Sequence, residues 1–505
     1  MNAIDLIIIF GYLIGITAFG VYFAKDQKTT DDYFVGDRDV PWWAVSASIV
    51  ATETSTITFI SVPGVIFAKN GNFQFLQLVF GYLLGRIVIS LVFIPLYFKG
   101  ELQTVYQLLG TRFGDKVKML ASALFVVMRN IADGIRLLLT AIVLAAVYLA
   151  FYPDASQTIV VVLSIILLGV VMIVFTYYGG MEAVIWVEVV QLGIYIGGAA
   201  AAAYVILGQV DGGMATVMEV GAKFNKFALF DFSFDLTKTF TFWAGLVGGC
   251  FLTMSTHGTD QYLVQRYLCT ESPKGAIAAI LSSGAVVLAQ FIGFLFIGAL
   301  LFAFYAPYDA AEYAKAGVAG SGVPATFPFA GGDQVFPDFI TKHMPNGLSG
   351  LVVAAIFAAA LSSSLNSIAA TTVNDLYKPF RKDTDDKSLL RLSHTLTLVF
   401  GIIQIAVALL LMSQQRSALD QALSVASLFN GPVLGVFLAG IFLKKARENH
   451  ALFAMAIACV VMFAVRFGTP LAWTWYVLLG SAVTFGICAL LSQFGSETQT
   501  EEVSA

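Results

Sequence analysis

The chain has 505 residues, of which 58% are hydrophobic, 13% aromatic and only 12% charged. This composition is typical of a polytopic membrane protein, with the lipid bilayer as its surroundings. The formal net charge of −4 is spread thinly along the chain, so no basic patch predicts a nucleic-acid partner. The four cysteines have neither paired nor metal-type spacing, and we interpret them as inert (Cys250, Cys269, Cys459, Cys488).

Apolar runs long enough to cross a hydrocarbon layer of roughly 30 Å recur along the whole chain. Because these runs are continuous rather than alternating, they predict helices and not a β-barrel. The first run has no basic residue before it, so we interpret it as a retained helix rather than a cleavable signal peptide. We predict thirteen spans, near residues 4–24, 41–68, 74–98, 115–150, 157–177, 183–207, 240–261, 274–304, 347–377, 388–413, 418–443, 449–467 and 470–492.

The loop charges predict the orientation, because Lys and Arg are enriched on the cytoplasmic side of membrane proteins. With the N-terminus outside, the inside loops hold 17 of the 28 basic residues and the outside loops hold 8. The other three lie within spans. We therefore expect a plasma-membrane protein, in a bacterium an inner-membrane one, with its N-terminus outside and its C-terminus in the cytoplasm.

The second span carries a carboxylate near mid-depth, in the segment Ala-Thr-Glu-Thr-Ser-Thr at residues 51–56. A charge at the centre of a bilayer costs about several kcal/mol, so Glu53 requires a partner, a water-filled cavity or a bound ion. Transporter helices are interrupted at such places, which leaves backbone carbonyls free to bind cations. The sequence therefore predicts a broken helix with a functional carboxylate.

Three arginines and three acids lie well inside the predicted spans, away from their ends, so the membrane interior is close to neutral (Arg86, Arg129, Arg136, Glu53, Asp133, Glu188). On the fourth span, Arg129, Asp133 and Arg136 follow one another at i, i+4 and i+7, which places them on one stripe. One interpretation is a structural ladder of ion pairs. The other is that an arginine of the stripe binds an anionic substrate, since its planar fork suits carboxylates. Arg86 can pair with Glu53 or extend to an interface.

The ninth span contains a second polar segment, where Ser362, Ser363 and Ser364 follow the apolar residues 358–361. Adjacent serines supply two hydroxyl oxygens to one small site, and Ala359 adds a carbonyl if the helix loosens there. Hard cations such as Na⁺ prefer oxygen ligands. Serine-rich turns are also packing devices in membrane helices, so both interpretations stay open.

Five ordered motifs resemble signatures of the sodium:solute symporter family, and together they cover nearly the whole chain. They are Asp-Tyr-Phe-Val-Gly at 32–36 leading into Pro-Trp-Trp-Ala at 41–44, Thr-Val-Tyr-Gln at 104–107 with Arg-Phe-Gly at 112–114, Gly-Gly at 179–180 with Ala183, Val184 and Gln191, Thr-Asp-Gln at 259–261 with Val-Gln-Arg at 264–266, and Phe-Asn-Gly-Pro at 429–432 with Gly435. The fourth of these five motifs, at 259–266, is highly specific to the family.

The resemblance implies an all-α polytopic fold of the LeuT type, with two inverted repeats of five helices. It divides the chain into a first helix and loop (1–40), a first repeat (41–207), a second repeat (240–443), two further helices (444–492) and a disordered tail (493–505). It also implies a symporter that couples the inward movement of Na⁺ down its gradient to uptake of a small organic solute by alternating access.

The family's common sodium site combines carbonyls of the broken first core helix with a carbonyl and two hydroxyls of the eighth. Carried onto this chain, the resemblance implies Ala51, Thr54, Ala359, Ser362 and Ser363 as ligands of the co-transported Na⁺. The chain is about one helical turn shorter than the usual pattern between Gly347 and Asp375, so the two serines match either the common site or a second one beside it. Many members have an aspartate at the position of Glu188, which supports ion binding there.

The substrate site implied by the resemblance lies at the same broken helix, where hydroxyls hold the substrate in the sialic-acid branch. An anionic solute, such as sialic acid or a monocarboxylate, fits the arginines, whereas a sugar or polyol fits the hydroxyls and the glutamate. The candidate substrate-binding residues are Glu53, Ser55, Thr58, Phe75, Gln77, Arg129 and Arg136, and the candidates for a structural or coupling role are Asp133, Arg86 and Asp260.

Three other functions remain open from the sequence. Glu53 and Glu188 would serve a proton-coupled transporter, and composition alone also allows a passive channel. A membrane enzyme is disfavoured, because the four histidines are far apart in the chain and show no metal-binding spacing. His257 and Asp260 are the nearest to an acid/base pair, and we interpret Asp260 as structural. The sequence does not determine an oligomeric state, and a monomer is compatible with it.

Overall fold

The computed structural model of the protein describes residues 2–22, 30–54, 56–100, 102–152, 154–305, 326–329, 331–361, 364–381, 385–412 and 418–494. This described part is all α-helical apart from short 3₁₀ and π turns and connecting loops. In chain order the helices are α1 (Ala3–Tyr22), α2 (Thr30–Val35), α3 (Trp42–Glu53), α4 (Thr56–Phe67), α5 (Leu76–Val92), α6 (Ile94–Tyr97), α7 (Gln107–Phe113), α8 (Asp115–Phe151), α9 (Gln157–Gln209), α10 (Gly213–Lys223), α11 (Gly249–Gly258), α12 (Gln261–Leu268), α13 (Pro273–Tyr305), α14 (Val335–Lys342), α15 (Leu348–Leu361), α16 (Leu365–Thr371), α17 (Asp386–Leu411), α18 (Ala418–Phe442), α19 (Glu448–Gly468) and α20 (Tyr476–Phe494).

Nine helices of the described residues are long and apolar enough to cross a membrane, and ten spans result if the bent pair α3 and α4 forms one. A helix satisfies all its backbone hydrogen bonds internally, which lipid requires. Large apolar side chains such as Ile7, Leu410 and Val460 are exposed on the outside of the bundle, where lipid would surround them. The count is lower than the thirteen predicted spans because several of those spans consist of shorter helices, such as α11 and α15.

The long helix α9 bends at Gly180, whose φ of 60° and ψ of −172° lie outside the helical region. Glycine adopts this conformation without a steric penalty, because it has no Cβ. The bend divides α9 into two apolar segments, Gln157–Tyr178 and Gly180–Gln209, each long enough to span the bilayer. The fifth and sixth predicted spans are therefore joined by a sharp turn instead of a loop.

The central helices surround the interrupted pair α3 and α4. Helix α3 packs against α9 and α13, and α4 packs against α13 and also contacts α8 and α15. Helix α8 packs against α9, α17 and α18, and α16 contacts both α8 and α12. This packing brings the polar segments of the second, fourth, seventh and ninth predicted spans into the interior of one bundle.

Candidate functional site

The interruption between α3 and α4 forms the centre of the candidate site. Helix α3 ends at Glu53, α4 begins at Thr56, and the two helices are bent by 54°. The backbone N–H of Thr54 still donates to the carbonyl of Val50, and Thr54 Oγ1 lies 2.6 Å both from that carbonyl and from Gln290 Oε1. Since a hydroxyl has one proton, Thr54 can donate to only one of these oxygens at a time.

Helix α4 is fixed to the neighbouring helices at its first residue. Thr56 Oγ1 lies 3.1 Å from Thr140 Oγ1 of α8 and donates to the carbonyl of Ile356 in α15 at 3.2 Å. Two residues further on, Thr58 Oγ1 donates across the break to the carbonyl of Glu53 at 3.3 Å. The Thr58 hydroxyl therefore occupies one backbone acceptor that the broken helix leaves open, the carbonyl of Glu53.

Glu53 is held by two basic side chains from two other helices. Its carboxylate forms an ion pair with Arg86 of α5 and hydrogen-bonds Nε2 of His257 in α11. His257 Nδ1 in turn lies 2.5 Å from the hydroxyl of Tyr267 in α12. Arg86 is 1% exposed, whereas the Glu53 side chain keeps 17% of its surface accessible. The charge of Glu53 is therefore compensated within the protein.

Glu188 forms a second buried ion pair, with Arg266 of α12. Arg266 Nη2 donates to Glu188 Oε1 at 2.6 Å, and Arg266 Nε lies 3.2 Å from Oε2. Ser48 also donates to Oε2, and Thr52 Oγ1 donates to Oε1 at 3.0 Å. Both carboxylate oxygens thus receive donors, so a sodium ion at Glu188 would have to compete with a guanidinium group.

The charged stripe of α8 (Arg129, Asp133 and Arg136) forms only part of the predicted ladder of ion pairs. Arg129 forms an ion pair with Asp260, which immediately precedes α12, rather than with Asp133. Arg136 Nη1 lies 3.7 Å from Asp133 Oδ1 and donates to the hydroxyl of Tyr262 at 3.2 Å. Both guanidinium groups lie over the Tyr262 ring, with their Cζ atoms 4.5 Å and 5.8 Å from its centroid. The stripe therefore connects α8 to α12.

Phe75 and Gln77 have packing roles in this structure. The ring of Phe75 lies 5.3 Å from that of Phe240 and 5.2 Å from that of Phe291. Gln77 Nε2 donates to the carbonyl of Phe240 at 3.1 Å, and Gln77 Oε1 accepts from the backbone N–H of Asp231 at 3.0 Å. These contacts join α5 to the segment that precedes α11.

The proposed sodium ligands are only partly within the described residues. Ala51 is buried in α3, and Ala359 belongs to α15. Thr54 directly follows α3, whereas Ser362 and Ser363 lie outside the described residues, as does the substrate candidate Ser55. The arrangement of these five candidate ligands around one ion therefore stays a prediction.

The predicted pairing of Arg86 with Glu53 is confirmed, whereas the partners of Arg129 and Glu188 are not among the predictions. Arg266 follows the seventh predicted span and is nevertheless fully buried, and His257, near the end of that span, contacts Glu53. Arg266 is part of the signature at 259–266, so the motif itself was the signal that could have placed it inside. The four pairs balance: Arg86 with Glu53, Arg129 with Asp260, Arg136 with Asp133, and Arg266 with Glu188.

Comparison with known proteins gives a consistent result. The profile of the sodium:solute symporter family matches residues 33–458. The sodium/sialic acid symporter NanT of Aliivibrio fischeri is 32% identical over 489 residues, which cover 95% of this chain and 91% of the relative. The sodium/sialic acid symporter SiaT of Proteus mirabilis is 31% identical over 492 residues, covering 95% and 92%.

A solved structure extends the similarity to the fold. The substrate-bound, outward-open state of a Na⁺-coupled sialic acid symporter superposes with a TM-score of 0.83 at 29% identity, covering 98% of both chains. That structure is described as revealing a novel Na⁺ site. The superposition therefore covers nearly the whole chain.

Proposed function

Because the chain belongs to the sodium:solute symporter family, it is a Na⁺-coupled symporter of a small organic solute, and we propose that this solute is an anion of the sialic acid class. The observation that supports this choice most directly is the position of Arg136. It lies one helical turn before Thr140, which contacts the first residue of α4. Its guanidinium belongs to the largely buried charged stripe of α8, and the planar fork of a guanidinium suits a substrate carboxylate.

Sodium is the co-transported ion, and we propose that it binds where the sequence predicted, between α3 and the ninth span. The ligands would be the carbonyls of Ala51 and Ala359 with oxygens of Thr54, Ser362 and Ser363. The end of α3 at Glu53 supports this proposal, because a helix C-terminus carries unpaired carbonyls and partial negative charge. Glu188 would act indirectly. It pairs with Arg266 and would hold α3 in place through its hydrogen bonds with Ser48 and Thr52.

The architecture we propose has thirteen spans, with an inverted repeat of five helices at 41–207 and another at 240–443. One span would precede the repeats and two would follow, as in the domain limits given above. We further propose the bacterial inner membrane as its location, with an external N-terminus.

The test is uptake of radiolabelled N-acetylneuraminate into proteoliposomes with an inward Na⁺ gradient. Uptake should require that gradient, and replacing external Na⁺ with choline should abolish it. Arg136→Lys should lower kcat/KM at least about tenfold, since an ammonium cannot form the paired contacts of a guanidinium. Arg391→Gln, at an exposed position of α17, is the matched control. Equal uptake in Na⁺ and choline, or an unchanged Arg136→Lys variant, would overturn the proposal.

A further inference from the structure

Within the part of the chain that the structure describes, two buried oxygen atoms on one face of α8 lack a hydrogen bond, and one of them lies 3.7 Å from Arg136 Nη1. They are Oδ1 of Asn130 and Oδ1 of Asp133, in side chains that are 6% and 5% exposed. Asn130 Nδ2 donates to the carbonyl of Val126 at 2.7 Å, which directs its Oδ1 away from that carbonyl. Residues at i and i+3 are neighbours on a helix surface, so the two acceptors belong to the same region. An unpaired acceptor in the interior of a membrane protein costs free energy unless a cation or water satisfies it.

A third oxygen comes from outside α8, from the residue that precedes α16. Ser364, fully buried and immediately before α16, donates its hydroxyl proton to Asp133 Oδ2. A hydroxyl that donates to a carboxylate keeps its own lone pairs available for a cation. Ser364 contacts Asp133, and helix spacing places Asn130 beside Asp133. A carboxylate, an amide oxygen and a hydroxyl therefore lie in one region, and these are the ligand types that hard cations prefer.

The charges around these oxygens determine what can bind. Arg129 is compensated by Asp260, and Arg136 is the basic neighbour of Asp133, so these four groups sum to zero. A monovalent cation beside Asp133 would leave the region with one excess positive charge. A substrate carboxylate on Arg136 would remove that excess. A cation and an anion would therefore each favour the binding of the other in a low-dielectric interior.

We propose that Asn130 Oδ1, Asp133 Oδ1 and Ser364 Oγ form a binding site for a co-transported Na⁺, distinct from the one assigned to Ser362 and Ser363. Backbone carbonyls or water would complete the coordination. Asp133 then couples the ion to the solute, because it pairs with Arg136 when the site is empty and with Na⁺ when an anion engages Arg136. The coupling part of this inference rests on the proposed function, whereas the ion site does not.

The experiment measures Na⁺-dependent thermal stabilisation of the purified full-length protein in nanodiscs, with choline chloride holding the ionic strength constant. A ligand that binds only the folded state raises its apparent stability, so the midpoint of the Na⁺ titration reports affinity. Asp133→Asn should raise that midpoint at least about tenfold and Ser364→Ala about threefold, because each removes a ligand or its charge. Asn130→Ala should also raise it, and K⁺ should not replace Na⁺.

The matched control is Ser393→Ala, which removes a buried serine hydroxyl of α17 that donates to the carbonyl of Leu389. If Asp133→Asn does not fold, Ser364→Ala and Asn130→Ala still decide the question. Midpoints within about twofold of wild type in the folded variants would overturn the site.

A second titration, with N-acetylneuraminate present, separates the two proposals. In the wild type this anion should lower the Na⁺ midpoint, and Asp133→Asn should remove that effect. If the anion has no effect on the wild type but the variants still shift the Na⁺ midpoint, the ion site stands and the proposed substrate is wrong.

Discussion

At the scale of single residues, the protein places full charges in the bilayer only where other charges compensate them. Glu53, Arg86 and His257 form one such group, with the guanidinium almost completely buried. Removing one member of a buried ion pair leaves the other uncompensated, which costs about 3–5 kcal/mol. Removing both members of the pair costs far less folding free energy. The pair is therefore testable by a double-mutant cycle.

We expect Glu53→Gln to lower the thermal stability of the purified protein strongly, because the charge of Arg86 remains in the interior. Arg86→Gln should do the same through Glu53. The double variant should be more stable than either single variant, with a coupling free energy of about 1–3 kcal/mol. Thermal unfolding in detergent measures all four proteins. Strictly additive effects would mean that the ion pair contributes nothing to the fold.

A second residue-scale prediction concerns Lys226, which lies outside the membrane spans. Its Nζ donates to the carbonyls of Ile66, at 2.9 Å, and Ala68, at 2.6 Å, at the end of α4. Burial lowers the pKa of Lys226 from 10.5 to about 7. Between these two values the unfolded chain binds a proton that the folded protein does not. The free energy of unfolding should therefore rise with pH from about 7 toward 10, by at most about 1.4 kcal/mol per pH unit.

The measurement is the apparent unfolding midpoint across this pH range. Lys226→Met should flatten the rise, because the titrating group is gone. Lys238→Met, in the exposed part of the same loop, should keep the wild-type slope. Parallel slopes in the wild type and Lys226→Met would assign the pH dependence to another group.

At the scale of elements, sharp breaks let helices cross the membrane twice or open a site halfway through it. The bend of α9 depends on the positive φ of Gly180. An alanine there would hold its Cβ in a positive-φ conformation that essentially only glycine adopts, which costs about 1–3 kcal/mol. The same substitution at a regular helical glycine removes backbone entropy from the unfolded chain and is neutral or stabilising.

We therefore expect Gly180→Ala to lower the apparent melting temperature and to reduce transport, since the bend positions Glu188 beside Arg266 on the following segment. Gly193→Ala is the matched control in the same helix, because a Cβ there would meet nothing within 4 Å. Thermal unfolding and Na⁺-driven uptake of the two variants provide the comparison. A Gly180→Ala protein as stable and active as Gly193→Ala would show that the bend does not depend on glycine.

At the scale of the whole molecule, the basic loops predict how the chain sits in the membrane. Ser233 and Ser388 are both exposed, and the predicted topology places the first outside and the second inside. Ser233→Cys should react with a membrane-impermeant thiol reagent in intact cells, whereas Ser388→Cys should react only after permeabilisation. The wild type is the background control, since three of its four cysteines are buried and the fourth, Cys459, is half-buried within α19. The reversed labelling pattern would invert the topology.

Much of this molecule can be read from its sequence. The interrupted helix at Glu53, the buried charges and the family signatures are local patterns of a few residues, and the family and its sodium coupling follow from them. Most partners of the buried charges do not follow from such local patterns. Arg129 could pair with Asp133 on its own helix, and only the packing of α12 against the bundle shows that it pairs with Asp260.

The sequence by itself determined the class of protein, because hydrophobic runs and mid-membrane charges are properties of single segments that lipid constrains directly. Tertiary structure alone decided that Arg129 pairs with Asp260, that Arg266 is inside and pairs with Glu188, and that Ser364 contacts Asp133. The physical reason is that these contacts join residues far apart in the chain. Their geometry depends on how helices cross, which no periodicity within one helix encodes.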